Sequence, residues 1–224
     1  MTESLTMDST IAILGGTGKE GRGLAYRWAK AGYHVIIGSR TPEKAIAVAE
    51  ELNRSKNPKV KIKGNSNREA AQNADLVVLT VPYSAHRETL EFVKPFIAGK
   101  ILVDVTVPLV PPQVSKVQMP PEGSAAQEAV RILGDDVQVT SAFQNISHQH
   151  LLNDEPIDCD VLVTGTSKDA RAATLKLVED AGLTGWDAGP IENSMVVEGL
   201  TSILIGINKR YTGKGAGIKI TGAR

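Results

Sequence analysis

Residues 10–21 read TIAILGGTGKEG and join a short apolar run to a glycine-rich segment. The first five of these residues are mostly aliphatic and β-branched, which is typical of a buried strand. Gly16, Gly18 and Gly21 follow at G-x-G-x-x-G spacing, and a helical pattern begins at Lys19. In such a unit the glycines permit a tight turn, a close approach of diphosphate to the backbone, and close packing of helix on strand. The stretch therefore predicts a strand, a phosphate-binding turn and a helix.

The rest of the chain alternates short apolar runs with helical patterns, which predicts an α/β fold, a Rossmann-type doubly wound parallel sheet with crossover helices. Further strands are predicted at 34–38, 60–63, 76–81, 101–105, 137–143 and 161–164. Helices are predicted at about 19–30, 43–54, 84–96, 124–133, 167–181 and 193–209. We expect a disordered segment at 1–9, a dinucleotide-binding domain at 10–145, and a small C-terminal lobe at 146–224. Five prolines between residues 106 and 121 predict a long loop that acts as a lid or a dimer contact.

Composition excludes several classes of protein. The chain has 224 residues, with 25 basic and 25 acidic side chains, so a generic nucleic-acid binder is not expected. The single cysteine, Cys159, excludes an intrachain disulfide framework and a multi-cysteine metal site. No apolar stretch is long enough for a membrane span, and the N-terminus does not resemble a signal peptide. We therefore expect a cytoplasmic protein with neither nucleic-acid nor membrane partners.

The end of the second predicted strand indicates which dinucleotide would bind. An NAD site usually has a carboxylate there, about 20 residues after the glycines. This chain has Gly38-Ser39-Arg40 instead, with Lys44 one helical turn further on. A hydroxyl, a guanidinium and an ammonium group favour a 2′-phosphate, so the pattern predicts NADP(H). The alternative is that Arg40 and Lys44 only solvate the start of a helix.

Basic residues are also unevenly distributed. Residues 40–68 contain eight Lys and Arg against three acidic residues, and residues 207–224 contain five basic residues and no acidic one. These regions are either solvated faces or the binding surface for a second anionic ligand besides NADP.

The sequence offers no clear acid–base constellation. His86 follows the fourth strand and could lie by the cofactor, but Arg87 is equally well placed. His148 and His150 have no evident third ligand, so we expect no metal site. Cys159 lies between two aspartates, which raise the pKa of a thiol and make it a poor nucleophile. This absence suits a reaction in which both bound partners carry their own chemistry and the protein orients them.

A set of motifs in one order resembles the NADPH-dependent coenzyme F420 reductases. The motifs are Leu14-Gly15-Gly16-Thr17-Gly18 with Gly21 and Gly23, Ile37-Gly38-Ser39-Arg40 with Lys44, Leu79-Thr80-Val81-Pro82, Gly123-Ser124-Ala125-Ala126, Asp187-Ala188-Gly189-Pro190, Asn193-Ser194 and Glu198-Gly199-Leu200-Thr201. The resemblance extends from about Thr10 to Ile220. It implies reversible hydride transfer between NADP(H) and the deazaflavin coenzyme F420, stacked in a cleft between the sheet domain and the C-terminal lobe of a homodimer.

The resemblance also implies a set of cofactor-binding residues and no catalytic side chain. They are Gly16, Thr17, Gly18, Lys19, Glu20 and Gly21 around the diphosphate, Ser39, Arg40 and Lys44 at the 2′-phosphate, and Val81, Pro82, Tyr83, Arg87, Ile146 and His148 along the nicotinamide side. Gln144 stands where the family pattern has a histidine, and we expect it to help position the deazaflavin. Gln144 can donate a hydrogen bond but cannot titrate.

Two other functions fit parts of the sequence. The N-terminal half resembles pyrroline-carboxylate reductases, which reduce an imine with NADPH, although only one helix of their long dimerisation domain fits here. A non-enzymatic NADPH-binding regulatory module would also explain the missing acid–base set.

Overall fold

The computed structural model describes residues 5–212 and 215–223, and its centre is one eight-stranded sheet. The strands are β1 Thr10–Leu14, β2 His34–Ser39, β3 Lys63–Ser66, β4 Leu76–Leu79, β5 Ile101–Asp104, β6 Gln138–Ser141, β7 Asp160–Gly165 and β8 Thr184–Pro190. Their spatial order is β3-β2-β1-β4-β5-β6-β7-β8. The first six strands are parallel in the doubly wound order, β7 runs antiparallel to β6, and β8 runs parallel to β7. The predicted Rossmann-type fold is confirmed.

Helices cover both faces of the sheet. They are α1 Lys19–Ala31, α2 Pro42–Lys56, α3 Asn67–Gln72, α4 His86–Val93, α5 Ala125–Leu133, α6 His148–Leu151, α7 Lys168–Asp180 and α8 Ser194–Ile207. A π-helical turn, Asn208–Thr212, continues α8. The side chains of Ser124 and Ser167 accept hydrogen bonds from main-chain N–H groups and so cap α5 and α7. None of the helices in the described ranges is long and apolar enough to cross a membrane.

One predicted strand was misplaced and one strand was not predicted. The third strand is Lys63–Ser66, not 60–63, because Asn53 on α2 bonds both main-chain groups of Ile62: its Oδ1 accepts from the N–H (2.9 Å) and its Nδ2 donates to the carbonyl (2.8 Å). These bonds hold Ile62 against α2 and away from the sheet. Strand β8 was not predicted, because two glycines and two polar residues break its apolar pattern.

The sheet continues past residue 145, since β6 pairs with β7 at Thr140 and Gly165. Arg27 on α1 joins the two sides of this position: its Nε donates to the Leu151 carbonyl (2.9 Å) and its Nη2 to the His150 carbonyl (3.1 Å). This buried guanidinium fixes α6 against α1. The division of the chain at residue 145 stays a prediction. Of the segment 1–9 expected to be disordered, residues 1–4 lie outside the described residues, and a turn joins Thr6 to Ser9.

Candidate functional site

A cleft of about 870 Å³ opens at the carboxyl edge of the sheet. The loops that follow β1, β2, β4, β5 and β6 all contribute to its lining. Helices leave β1 and β4 toward opposite faces of the sheet, and the crevice between two such strands is the usual ligand site of doubly wound folds. The position of the cleft therefore follows from the order of the strands.

The glycine loop forms one end of this cleft. The positive φ of the turn, +71°, falls on Gly15, whereas Gly16 and Gly21 are constrained by space. A Cβ atom on Gly21 would lie 2.5 Å from the Cα atom of Gly16, so helix α1 can approach the turn only if both positions are glycine. Gly18 precedes α1 and supplies no side-chain cap, which leaves the first N–H groups of the helix free for an anion.

Ser39, Arg40 and Lys44 extend the lining from the end of β2. The Ser39 hydroxyl accepts a hydrogen bond from the main-chain N–H of Thr41 (3.1 Å). Arg40 and Lys44 are exposed, and neither has an ion-pair partner among residues 5–212 and 215–223. The structure thus brings the two cations and the hydroxyl predicted from the sequence to one corner of the cleft.

Glu20 lies on the first turn of α1 and also lines the cleft. Its Oε1 atom is buried and has no hydrogen-bond donor among the described residues. Burial raises the pKa of this carboxyl from 4.5 to about 8. At neutral pH the group is therefore a neutral acid, which can donate a hydrogen bond to an anion instead of repelling it.

The opposite end of the cleft is formed by the turn after β6. Phe143 has a φ of 72°, a strained value for a non-glycine residue, and its buried ring packs edge-on against Trp28 with centroids 5.8 Å apart. Gln144, which follows, is only 5% exposed. Its Nε2 donates to the Asp104 carbonyl (2.7 Å) and to Ser141 Oγ (2.8 Å), while Oε1 has no donor among the described residues. A carbonyl can pair only with the NH₂ end of the amide, so Gln144 leaves its oxygen unpaired beside the cleft.

His86 lies behind this end of the cleft and is fully buried. Its Nε2 is 2.7 Å from Asp104 Oδ2, and its Nδ1 is 3.1 Å from Glu128 Oε2. Burial opposes the charged imidazolium, but the two carboxylates outweigh it and raise the pKa of His86. His86 does not line the cleft. It is connected to the cleft through Asp104, whose carboxylate pairs with His86 and whose carbonyl accepts from Gln144. These partners could not be predicted from residues near His86 in the sequence, because Asp104 belongs to β5 and Glu128 to α5.

The structure brings most of the predicted cofactor residues together. Besides those described above, the lining includes Thr17, Gly18, Lys19, Val81, Pro82, Tyr83, Ile146 and His148. Arg87 is different: its guanidinium pairs with Glu128, within 3.7 Å of Glu122, and it does not line the cleft. A buried carboxylate, Glu128, and a half-buried one, Glu122, explain this orientation. A role for Arg87 toward a cofactor stays a prediction that the geometry does not favour.

Two further acid–base or nucleophile candidates of the sequence are His148 and Cys159. The pKa of His148 is lowered by burial and by Lys19, which suits a neutral ring. Burial raises the pKa of the Cys159 thiol, and Cys159 lies outside this lining. Within the described ranges, no three His, Cys, Asp or Glu side chains are grouped so that they could hold a metal ion.

The proline-rich segment predicted as a lid or a dimer contact has two different halves. Its first half, through Val107, Leu109, Pro111 and Val114, lines the cleft. Its second half passes α8, where a Cβ atom on Gly199 would be 3.4 Å from Val117 Cγ1. The segment therefore links the cleft to the outer face of α8.

A family model and three relatives aligned over 94% of the chain agree with each other. Residues 10–108 match the family model described as NADP oxidoreductase, coenzyme F420-dependent. The chain is 43% identical over 219 residues to the F420-dependent NADP reductase of Methanothermobacter marburgensis, an alignment that covers 94% of this chain and 97% of that protein.

Solved structures show the same fold. The chain is similar to a candidate F420-dependent NADP reductase from Arthrobacter sp. FB24, with a TM-score of 0.74, 25% identity, and coverage of 88% and 92% of the two chains. It is also similar to a pyrroline-5-carboxylate reductase from Coxiella burnetii, with a TM-score of 0.57, 16% identity, and coverage of 94% of this chain and 73% of the other. This second likeness shows the fold alone.

Proposed function

Because this chain belongs to the family of F420-dependent NADP reductases, we propose that it transfers a hydride reversibly between NADP(H) and coenzyme F420. The observation that carries the proposal is near-complete alignment with a reductase of that name at 43% identity. The geometry of the cleft supports it, since the glycine loop, the corner containing Arg40 and the turn containing Gln144 all line this one cavity.

The residues present fit an NADP molecule. The free N–H groups at the start of α1 and the space created by Gly16 and Gly21 suit a diphosphate. The exposed Arg40 and Lys44, with the hydroxyl of Ser39, suit a 2′-phosphate. We assign the diphosphate to residues 17–20 and the 2′-phosphate to these three side chains.

The two coenzymes, when bound, supply the hydride donor and acceptor. The protein's part is to hold the two rings together, which replaces a bimolecular encounter by a reaction within one complex. Val81, Pro82 and Ile146 line the cleft with apolar surface that excludes water from the rings. Gln144 offers a fixed acceptor atom to the carboxamide N–H of the nicotinamide or to a ring N–H of the deazaflavin and so helps to set its orientation.

Homodimer formation is part of the proposal. Helix α8 exposes a stripe of large apolar side chains, with Val196 63% and Ile203 50% exposed, next to Met195 and Ile207. Val117 of the proline-rich segment extends this surface. A contiguous apolar patch of this kind favours association, and a second copy would cover it. Sedimentation should give a dimer for the native chain and a monomer for Ile203→Glu, and a monomeric native chain would contradict the assignment.

A cytoplasmic location also remains part of the proposal. It is supported by the single cysteine, Cys159, which is buried and free. Reducing compartments are where unpaired cysteines are usual.

One assay tests the reaction. The purified protein is mixed with NADPH and oxidised coenzyme F420, and the absorbance of the deazaflavin is followed while NADPH binding is measured separately. We expect the deazaflavin absorbance to fall, and the reverse reaction to proceed from reduced coenzyme and NADP⁺. Tight NADPH binding with no change in absorbance would sink the proposal. A parallel reaction with NADPH and a cyclic imine then distinguishes the two alternatives. Oxidation of NADPH would indicate an imine reductase, and no oxidation would indicate a binding module without activity.

A further inference from the structure

The buried ring of His86 lies between two loops that line the cleft. His86 is the first residue of α4, and the preceding turn contains Tyr83, whose ring centroid is 5.8 Å from that of His86 at an interplanar angle of 31°. On its other side the His86 ring contacts Asp104, at the end of β5. Tyr83 and the loop that follows Asp104 both line the cleft. The His86 ring therefore joins two walls of the cleft from behind.

Both ring nitrogens of His86 face carboxylate oxygens. Nε2 is 2.7 Å from Asp104 Oδ2, and Nδ1 is 3.1 Å from Glu128 Oε2. An ionised carboxylate accepts hydrogen bonds and cannot donate them, so two ionised partners require a proton on each ring nitrogen. The geometry thus favours the imidazolium form of a side chain that has no solvent exposure.

Asp104 depends on this positive charge. Its carboxylate is fully buried, and His86 is its one cationic partner among the residues that the structure describes. A buried carboxylate without a compensating charge is strongly unfavourable. Glu128 differs, because the guanidinium of Arg87 also pairs with it. Of the two carboxylates, Asp104 is therefore the one that loses its compensation when the ring is neutral.

The other ionisable groups around the ring do not replace it. They lie on the turn before α4, before α5 and on α8, and are Tyr83, Glu122 and Glu198. Burial raises the pKa of Tyr83 to about 12, and burial together with Asp104 raises the pKa of Glu198 to about 8. Both groups are therefore uncharged at neutral pH, and Glu122 is an acid. None of the three supplies positive charge to Asp104.

Asp104 connects the ring to the cleft by two further bonds. Its Oδ1 accepts from the N–H of Thr106 (2.9 Å), which lines the cleft, and its main-chain carbonyl accepts from Gln144 Nε2 (2.7 Å). The turn that contains Gln144 is also held from α8, since Asn145 Nδ2 donates to the Val197 carbonyl (2.9 Å). Loss of the charge on the ring should therefore displace the groups bonded to Asp104 without unfolding this turn.

We propose that His86 is a positioning residue for hydride transfer, acting as a buried imidazolium that holds Asp104 and, through it, Thr106 and Gln144. The inference rests on the proposed function. His86 does not line the cleft, so it acts on the reaction only through these three residues. They fix the loop after β5 and the Gln144 amide, and a small displacement of such groups is enough to misalign two reacting rings.

The test compares His86→Gln with Thr174→Val. Thr174 is the matched control, because it is fully buried, shares a hydrogen bond with the Thr140 hydroxyl (2.8 Å), and does not line the cleft. Both variants lose a buried hydrogen bond and should have lower melting temperatures. We expect only His86→Gln to slow single-turnover hydride transfer from NADPH to coenzyme F420, by about tenfold or more, with an unchanged Kd for NADPH. With NADPH deuterated at the transferred position, a primary isotope effect in this variant would identify hydride transfer as the slow step.

A double variant separates the charge of the ring from its volume. Adding Asp104→Asn to His86→Gln removes the carboxylate that has lost its cation, while the side-chain carbonyl of Asn can still accept from Thr106. We expect the double variant to melt at a higher temperature than His86→Gln and to recover part of the rate. A ring that only filled space would give no such recovery.

Nitrogen-15 NMR tests the charge without turnover. The signals of His86, identified by their absence in His86→Gln, should show two protonated ring nitrogens at neutral pH and at pH values where an ordinary imidazole is neutral. A neutral ring at pH 7, or native hydride transfer in His86→Gln, would overturn the inference. If the native protein transfers no hydride to coenzyme F420, the proposed function fails. The positioning role is then tested by hydrogen exchange, which should be faster at the Thr106 N–H in His86→Gln than in the native protein, and equal rates would contradict it.

Discussion

The two ends of the cleft are built in different ways. At the glycine loop the proposed binding groups are main-chain N–H groups and two exposed cations, and the constraint is the space left free by Gly16 and Gly21. At the opposite end the proposed binding group is the side chain of Gln144, which donates two hydrogen bonds, one of them to Asp104, the residue that pairs with buried His86. NADPH affinity should therefore fall when side-chain atoms are added at the glycine loop. Hydride transfer should fall when a polar atom is removed at the end that contains Gln144.

The largest effect is expected from an added methyl group at the first end. In Gly21→Ala the new Cβ atom would meet the Gly16 Cα at 2.5 Å and Thr80 Oγ1 at 2.8 Å. The backbone of the turn or of α1 must move to relieve these contacts. We therefore expect the free energy of NADPH binding to weaken by about 3 kcal/mol or more, and the melting temperature to fall. Titration calorimetry and thermal unfolding measure the two effects. Gly18→Ala is the control for folding, because its nearest heavy atom would be 3.6 Å away. A Gly21→Ala protein that bound NADPH normally would show that this end is not limited by space.

The next effect concerns the choice of coenzyme. Arg40→Ala should weaken NADPH by about 1.5–3 kcal/mol and NADH by much less, since only NADPH has the 2′-phosphate that the guanidinium would bind. Dissociation constants for both coenzymes give the difference directly. Arg54→Ala removes a cation of α2 that does not line the cleft and should change neither constant. Equal losses for NADPH and NADH in Arg40→Ala would show that Arg40 does not read the 2′-phosphate.

The third prediction concerns the removal of a polar group at the end of the cleft that contains Gln144. In Gln144→Met the unpaired acceptor beside the cleft disappears, and we expect kcat/KM for hydride transfer to fall about tenfold. Gln127→Met makes the same chemical change at a residue that also has a buried unpaired Oε1 but does not line the cleft. Steady-state kinetics of the two variants should therefore differ. Similar kinetics would mean that the Gln144 oxygen contacts neither coenzyme.

The smallest effect is a dependence of coenzyme affinity on pH. Burial raises the pKa of Glu20 to about 8, so the carboxyl is neutral below that pH and ionised above it. An ionised group repels the diphosphate, so NADPH affinity should decrease as pH rises through about 8, by about 1 kcal/mol because water screens an open cleft. In Glu20→Gln the group cannot ionise and the decrease should vanish. Calorimetry in buffers with different ionisation enthalpies should show that the native protein takes up a proton on binding NADPH above pH 8 and that the variant does not. If the variant kept the same pH profile, the decrease in affinity would come from another group.

Much of the first end could be predicted from the sequence. The glycine spacing, the strand before it and the helix after it are local features, and Gly38-Ser39-Arg40 follows a strand whose pairing with β1 places it beside the loop. The turn itself differs in one detail, since the positive φ is on Gly15. The second end could not be predicted in this way. Arg87 looked as well placed as His86, but Glu128 on α5 binds the first and helps to bury the second.

The sequence alone indicated the Rossmann-type fold class, the glycine turn between β1 and α1, and NADP(H) as the dinucleotide. These depend on backbone conformation and on residues close together in the chain, where spacing fixes geometry. Only the tertiary structure decided what Gln144, Asn145 and His86 do. Their partners lie far along the chain, at Asp104, Val197 and Glu128, and are brought near by the packing of apolar surfaces. Apolar packing does not depend on which polar residues it brings together, so no local pattern in the sequence records those pairs.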